Sequence, residues 1–267
     1  MVFKNLDAFT TFKDDPKTGI ITDIDGTISK IAPTPDEAVV EPLIKDSISK
    51  LVKKFKLVAV VSGRSVEDAQ RMLDIDGILY VGNHGLEYLK DGKRYIEPDV
   101  VKILPQLKEA IEKIQNGDIC RIPGILLEEK GVCFSIHYRQ CEDSEKTRKI
   151  ILDCLKKLEQ KDLKVTEGRK LVELRPPIAF NKGSILEKIV SDNNLKKVIY
   201  LGDDITDVDA FDKIKELVSL NKVDGAAIAV KSMEVPPYVM DHADYWVDNV
   251  DEVGKFFLWL TENSKNK

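Results

Sequence analysis

The chain has little of what builds a disulfide framework or a metal-thiolate site. Its 267 residues include four cysteines, Cys120, Cys133, Cys141 and Cys154, and only three histidines. No two cysteines stand in a C-x-x-C spacing, so a zinc knot or a stapled secreted scaffold is not expected; free thiols in a reducing compartment are. Positive charge is not in excess either: 41 Lys and Arg against 46 Asp and Glu give a net charge of -5. That balance argues against nucleic acid, whose phosphates select clustered Lys and Arg. It leaves room for a small anionic substrate, because a local field can oppose the global charge. No stretch approaches the ~18 apolar residues of a membrane span, and the opening residues hold no apolar run of signal-peptide length. A cytoplasmic chain with neither a membrane nor a nucleic-acid partner is the expectation. Repeats and low-complexity tracts are missing too, apart from a polar tail at 263–267 expected to fray.

What remains is an ordinary globular composition, 43% apolar and 33% charged, long enough for one large domain or two packed ones. Short apolar runs at 19–24, 57–61 and 78–81 read as buried strands. Amphipathic stretches at 42–55 and 65–73 read as the helices between them. Such alternation implies a parallel sheet covered on both faces. From about 104 to 178 the texture changes. Helical patterns at 105–115 and 142–160 accompany period-two runs at 125–129, 132–139, 164–166 and 171–175, the last two forming a hairpin around Glu167-Gly168-Arg169. Strand-helix alternation then resumes with a helix at 183–192, a strand at 197–201, a helix at 205–215, a strand at 226–230 and a closing helix at 250–260. The predicted fold is α/β: a doubly wound, mostly parallel, Rossmann-like core (1–103 and 179–267) with an inserted α+β cap of order α-β-β-α-β-β (104–178).

Ligands of doubly wound sheets bind beyond the carboxyl ends of the strands, and the polar motifs fall there. Asp23-Ile24-Asp25-Gly26-Thr27 follows the first strand, and Ser62-Gly63-Arg64 the second. Gly202-Asp203-Asp204-Ile205-Thr206-Asp207 follows the strand after Lys197, and Asn181-Lys182-Gly183 opens a helix. Each alone has a plain structural reading as a turn, a helix cap or a loop. Together they cluster acids at 23, 25, 203, 204 and 207, which repel one another unless a cation sits among them. A carboxylate attacking a phosphate approaches an anion, and two unit charges 4 Å apart cost about 4 kcal/mol at an effective dielectric near 20. A Mg²⁺ and Lys182 would reverse that term, while the Ser62 hydroxyl and nearby N–H groups, including that of Gly63, would hold phosphoryl oxygens. Asp25 is placed to protonate a leaving alcohol and then activate water.

These four motifs, in this order, resemble those of the haloacid dehalogenase superfamily. The resemblance implies Asp23 as nucleophile, Asp25 as acid and base, and Ser62 and Lys182 on phosphate. It implies Mg²⁺ held by Asp23, the Asp25 carbonyl and Asp203, with Asp207 in support. Over nearly its whole length the chain is similar to trehalose-6-phosphate phosphatases. The similar segments are Val61-Ser62-Gly63-Arg64, Gly82-Asn83-His84-Gly85-Leu86-Glu87, Glu128-Glu129-Lys130, His137-Tyr138-Arg139 and Val172-Glu173-Leu174-Arg175-Pro176. That family's cap holds sugar hydroxyls with a Glu-x-Lys and a later Glu, which fall on Glu128, Lys130 and Glu173. Arg64 and His84 join them as expected substrate contacts. A functional link to a trehalose-6-phosphate synthase is also implied.

Read without the resemblance, Glu128 and Lys130 share one face of a strand, as do His137 and Arg139, and read first as a solvated sheet face with cross-strand pairs. Phosphatases of sucrose phosphate or of glucosyl- or mannosyl-3-phosphoglycerate, and hexose-phosphate mutases, stay open as alternatives. A catalytically silent sensor would need neither Asp23 nor Asp25.

Overall fold

Buried strand residues sort by parity into two layers. The fold is that of a computed structural model describing residues 1–158, 162–168, 170–232 and 235–262. Arg169, Leu158's neighbours 159–161 and the tail 263–267, where parts of the hairpin, helix and fraying expectations fall, lie outside the described residues.

The strands are β1 (Thr18–Thr22), β2 (Leu57–Val61), β3 (Ile78–Gly82), β4 (Glu87–Lys90), β5 (Lys93–Ile96), β6 (Leu126–Glu129), β7 (Phe134–His137), β8 (Lys164–Gly168), β9 (Leu171–Arg175), β10 (Lys197–Gly202), β11 (Asp224–Val230) and β12 (Tyr245–Val247). Eight form one sheet in the order β12-β11-β10-β1-β2-β3-β4-β5, and four form a second in the order β6-β7-β9-β8. From β12 to β3 all pairings are parallel, and β4 joins β3 antiparallel.

The chain divides into two compact units, 1–94 with 180–267, and 95–179. The first division lies ahead of the expected 103/104. Residues 95–103 are no bare connection: they hold the end of β5 and a helical turn, Pro98–Val101, with Val100 buried.

In the first unit Ile20, Val58, Val60, Ile199, Leu201, Ile228 and Val230 pack into one apolar layer. Ile21, Ala59, Val61, Val198, Tyr200, Ala227 and Ala229 pack into the other. A strand covered on both faces must be apolar at every position, and the runs Gly19-Ile20-Ile21 and Leu57-Val58-Ala59-Val60-Val61 meet that need. Helix Pro42–Lys54 buries Ile44, Ile48 and Leu51 on one side, and helix Val250–Thr261 buries Val253, Phe256, Phe257 and Leu260. Strand order reverses at β1, with β10 on one side and β2 on the other, and in doubly wound sheets ligands bind beyond the strand ends at such a reversal, here the ends of β1, β2 and β10.

In the second unit Phe134, Ile136, Val172 and Leu174 face helices Leu104–Gln115 and Ser144–Lys157, which contribute Leu107, Ala110, Ile111, Ile114, Ile151 and Leu155. The alternate residues form a polar face.

Candidate active site

Asp23 leaves β1 with its N–H on the Leu201 carbonyl of β10 at 2.9 Å, which fixes the nucleophile candidate between two strand ends. Its Oδ1 accepts from the Ile24 N–H at 2.7 Å, and its Oδ2 from Lys182 Nζ at 2.8 Å. Gly26 has φ +84°, and a Cβ there would lie 2.0 Å from Asp203 Oδ2. The turn therefore admits the Asp203 carboxylate only because residue 26 has no side chain. Thr27 Oγ1 donates to Asp203 Oδ1 at 3.1 Å, tying the first motif to the last.

Lys182 opens helix Lys182–Asp192, where Asn181 and Ser184 form a reciprocal cap that fixes the first turn. Its ammonium bridges Asp23 Oδ2 and, at 2.7 Å, Asp207 Oδ1. Burial alone would lower the Lys182 pKa, but the Asp207 and Asp23 carboxylates outweigh it and hold the amine positive far into the alkaline range. Burial pushes the Asp23 carboxyl up to about 7, with the Lys182 ammonium opposing and the Asp207 charge adding to the rise.

Asp23, Asp203 and Asp207 are all buried, and each offers one carboxylate oxygen within 4.8 Å of the others. The donor set is all oxygen, which suits a hard divalent cation. A proton-avid carboxyl among other acids is also what a cation would relieve. Asp207 stands apart in one respect. Its Oδ1 accepts from Lys182 and from Tyr200 Oη at 2.6 Å, and its Oδ2 from the N–H groups of Asp203 and Asp204 at 3.1 and 2.9 Å. Four donors occupy the carboxylate, so Asp207 braces Lys182 and the Asp203 loop rather than offering itself as a direct ligand. Tyr200 carried no signal in the sequence, where it reads as one more core residue of β10.

Ser62 is buried at the end of β2, and its Oγ accepts from the Arg64 N–H at 3.2 Å. Arg64 reaches the first motif. Its Nε and Nη2 hold Asp25 Oδ2 and Oδ1 at 2.7 and 2.8 Å, and its Nη1 donates to the Pro35 carbonyl at 3.0 Å. The guanidinium thus clamps the acid–base candidate, with the planar fork matched to a carboxylate. His84 sits beside the Ser62 loop: its N–H donates to the Ser62 carbonyl at 3.0 Å, and a Cβ on Gly63 would come 2.7 Å from its Nε2.

The second unit brings the three cap residues together. On its polar face Lys130 Nζ lies 3.4 Å from Glu173 Oε1 and 3.7 Å from Glu128 Oε2. Glu128 Oε2 meets His137 Nε2 at 2.7 Å, and Ser135 Oγ donates to Glu173 Oε1 at 3.2 Å. Lys130 lies one residue past β6. A turn through Gly131 at φ +76° sets it, with the Lys130 N–H on the Cys133 carbonyl at 3.0 Å. Burial would lower the Lys130 pKa, and the Glu173 and Glu128 charges more than reverse that.

The sequence pattern of the family described as trehalose-phosphatase matches residues 21–249. The chain belongs to the trehalose-phosphatase family. It is 31% identical over 238 residues to a trehalose-phosphate phosphatase of Mycobacterium tuberculosis (strain H37Rv), covering 84% of this chain and 60% of that relative. It is 27% identical over 260 residues to trehalose-phosphate phosphatase B of Arabidopsis thaliana, covering 90% of this chain and 65% of that one. The chain thus spans about 60 to 65% of the length of these curated relatives.

Among solved structures, a trehalose-6-phosphate phosphatase related protein superposes with a TM-score of 0.74 at 23% identity, covering 91% of this chain and 96% of that one. The C-terminal domain of Candida albicans trehalose-6-phosphate phosphatase gives 0.74 at 19%, covering 96% of both. A haloacid dehalogenase-like hydrolase of Bacteroides thetaiotaomicron gives 0.63 at 15%, covering 91% and 99%. These likenesses support the fold: a mostly parallel α/β core with an inserted cap unit. Among the described residues no helix is long and apolar enough to cross a membrane.

Proposed function

We propose that the chain hydrolyses trehalose 6-phosphate to trehalose and inorganic phosphate through an aspartyl phosphate on Asp23, with Mg²⁺ as cofactor. The observation that carries this reading is Asp23 itself. It is a buried carboxylate held by Lys182 at 2.8 Å and set within 4.8 Å of two further acids, at the end of β1 between β2 and β10.

Asp23 would attack phosphorus while Asp25, in its acid form, gives its proton to the departing sugar oxygen. Asp25 as carboxylate would then take a proton from the water that attacks the acyl phosphate, restoring both groups. The Arg64 fork holds Asp25 as a carboxylate, the form that would take the proton from water, and the acid form would require one oxygen to leave that fork. Lys182 and the Ser62 loop, with the Gly63 N–H, would bind phosphoryl oxygens. Asp23, Asp203 and the Asp25 carbonyl would hold Mg²⁺, with Asp207 bracing them. The cation supplies charge neutralisation for carboxylate and phosphate.

Glu128, Lys130 and Glu173 on the polar face of the second unit are the groups we assign to the sugar hydroxyls. A hydroxyl both donates to a carboxylate and accepts from an ammonium, so a face mixing the two suits a neutral sugar. A functional link to a trehalose-6-phosphate synthase follows, because such a substrate must be supplied by a glycosyl transfer onto a sugar phosphate.

The test is phosphate release across a panel of sugar phosphates, with and without Mg²⁺. Trehalose 6-phosphate should be preferred and the activity should vanish on chelation. A preference for sucrose phosphate or a phosphoglycerate conjugate would overturn the substrate, and isomerisation without phosphate release would overturn the reaction.

A further inference from the structure

One group on the polar face of the four-stranded sheet has no place in the reading so far. Side chains alternate along β9: Val172 and Leu174 are buried against the helices, so Glu173 and Arg175 share the opposite face. Arg175 is 7% exposed. Its Nη1 lies 3.9 Å from Glu173 Oε2, outside hydrogen-bond range. Its Nε and Nη2 are buried and have no hydrogen-bond partner among the described residues.

Those two nitrogens form one edge of the guanidinium, and at three other arginines a carboxylate fills that edge. Arg64 spends it on Asp25, Arg94 on Glu87 and Arg148 on Glu167. At Arg175 no acid among the described residues meets that edge. A buried cation with a bare edge is unfavourable, so the edge fits a pair of oxygen atoms brought by another molecule.

Charge narrows what that molecule is. Lys130 and Arg175 carry two positive charges, and Glu128 and Glu173 two negative ones, so the four buried or half-buried charges around the edge cancel; Lys164, opposite Arg175 on β8, is exposed and its charge is solvated. An anion would meet no net positive charge from this set. A neutral ligand with adjacent hydroxyls offers two acceptor oxygens to the edge and donates its protons to Glu128 and Glu173, which have acceptors only.

We propose that Arg175 is a further specificity-determining residue, its Nε–Nη2 edge donating to two adjacent hydroxyl oxygens of the sugar. The proposal rests on the reading that this face binds the sugar of the substrate.

The experiment compares wild type, Arg175→Lys, Arg175→Met and, as a control on that reading, Glu128→Gln. Turnover of trehalose 6-phosphate and of p-nitrophenyl phosphate is measured on the full chain, with inorganic phosphate as inhibitor and a melting curve for each variant. Lysine keeps the charge and the stem but not the fork, so it separates recognition from folding if methionine fails to fold. For Arg175→Lys, kcat/KM for trehalose 6-phosphate should fall by about tenfold or more, chiefly in KM, as expected for lost hydroxyl contacts. The fall for the aryl phosphate should be several times smaller.

Equal falls on both substrates with a lowered melting temperature would make Arg175 structural and overturn the proposal. Weakened inhibition by phosphate beyond any change in trehalose 6-phosphate KM would make the edge an anion site and overturn it too. If Glu128→Gln discriminates between the substrates and Arg175→Lys does not, only the arginine inference fails. If neither discriminates, the sugar-binding reading fails with it.

Discussion

Replacing Asp23 by asparagine should separate the two things this residue does. The side chain keeps its shape and loses its charge. In the metal-free protein, burial and the Asp207 charge raise the Asp23 pKa from 3.8 to about 7 against the pull of Lys182. At 1.36 kcal/mol per tenfold change in proton affinity, holding the carboxyl ionised above pH 7 costs the fold up to about 4 kcal/mol. The coupled Lys182 ammonium loses part of its partner in the variant, so the net gain should be smaller, on the order of 1–2 kcal/mol, or about 2–8 °C in melting temperature. The sign follows from linkage. A carboxyl whose folded pKa is raised contributes most below the unfolded value of 3.8 and loses that contribution as pH rises through about 7. The stabilisation of Asp23→Asn over wild type should therefore be clear near pH 8 and shrink towards pH 5. Scanning calorimetry in chelator at the two pH values measures it, and phosphate release in Mg²⁺ measures function, which should fall by about 10⁴-fold or more. A variant that melts at or below wild type near pH 8 refutes the electrostatic argument. One that retains turnover refutes Asp23 as the nucleophile.

Three further outcomes follow from the same geometry. Because cation and proton compete for Asp23, the half-saturating Mg²⁺ concentration should drop as pH rises towards 7, by at most about tenfold per pH unit, and then level off; a flat profile would remove Asp23 from the cation site. Glu173→Ala should lower kcat/KM for trehalose 6-phosphate by roughly 10- to 100-fold and that for an aryl phosphate far less, with equal losses excluding the cap assignment. Tyr200→Phe deletes the 2.6 Å hydrogen bond to Asp207. Three donors remain on that carboxylate, so unfolding in denaturant should show a loss of about 1–2 kcal/mol, and a neutral result would mean the hydroxyl is not holding it.

The parallel core and the four motifs are legible in the sequence because period and position carry them: apolar runs mark the covered strands, and polar turns follow. The antiparallel extension β4 and β5 was also within reach, since Asp91-Gly92 at φ +51° and +71° is a two-residue hairpin turn between strand-forming residues. Other contacts leave no local trace. Thr27 meets Asp203 across 176 residues, and Arg64 meets Asp25 across 39. The sequence places Arg64 beside Ser62 and gives no sign of the acid that fills its fork. Tyr200 is hidden for a related reason: its ring belongs to the apolar layer and only its hydroxyl reaches the acids, which no hydropathy pattern resolves.

Counting charges at the strand ends shows why the acids are arranged this way. Asp25 is cancelled by Arg64 and drops out of the count. Asp23, Asp203 and Asp207 against Lys182 leave three negative charges and one positive, a buried excess of two. On the proposed reading a divalent cation would cancel that excess and let a phosphate dianion approach Asp23 without like-charge repulsion in a desolvated place. The saturation of Asp207 matters to this balance. If its carboxylate were a loose ligand, Lys182 could collapse onto Asp23 alone and neutralise the proposed nucleophile. With Tyr200 and two backbone N–H groups fixing Asp207, the ammonium is held between two acids and not in a private ion pair with Asp23.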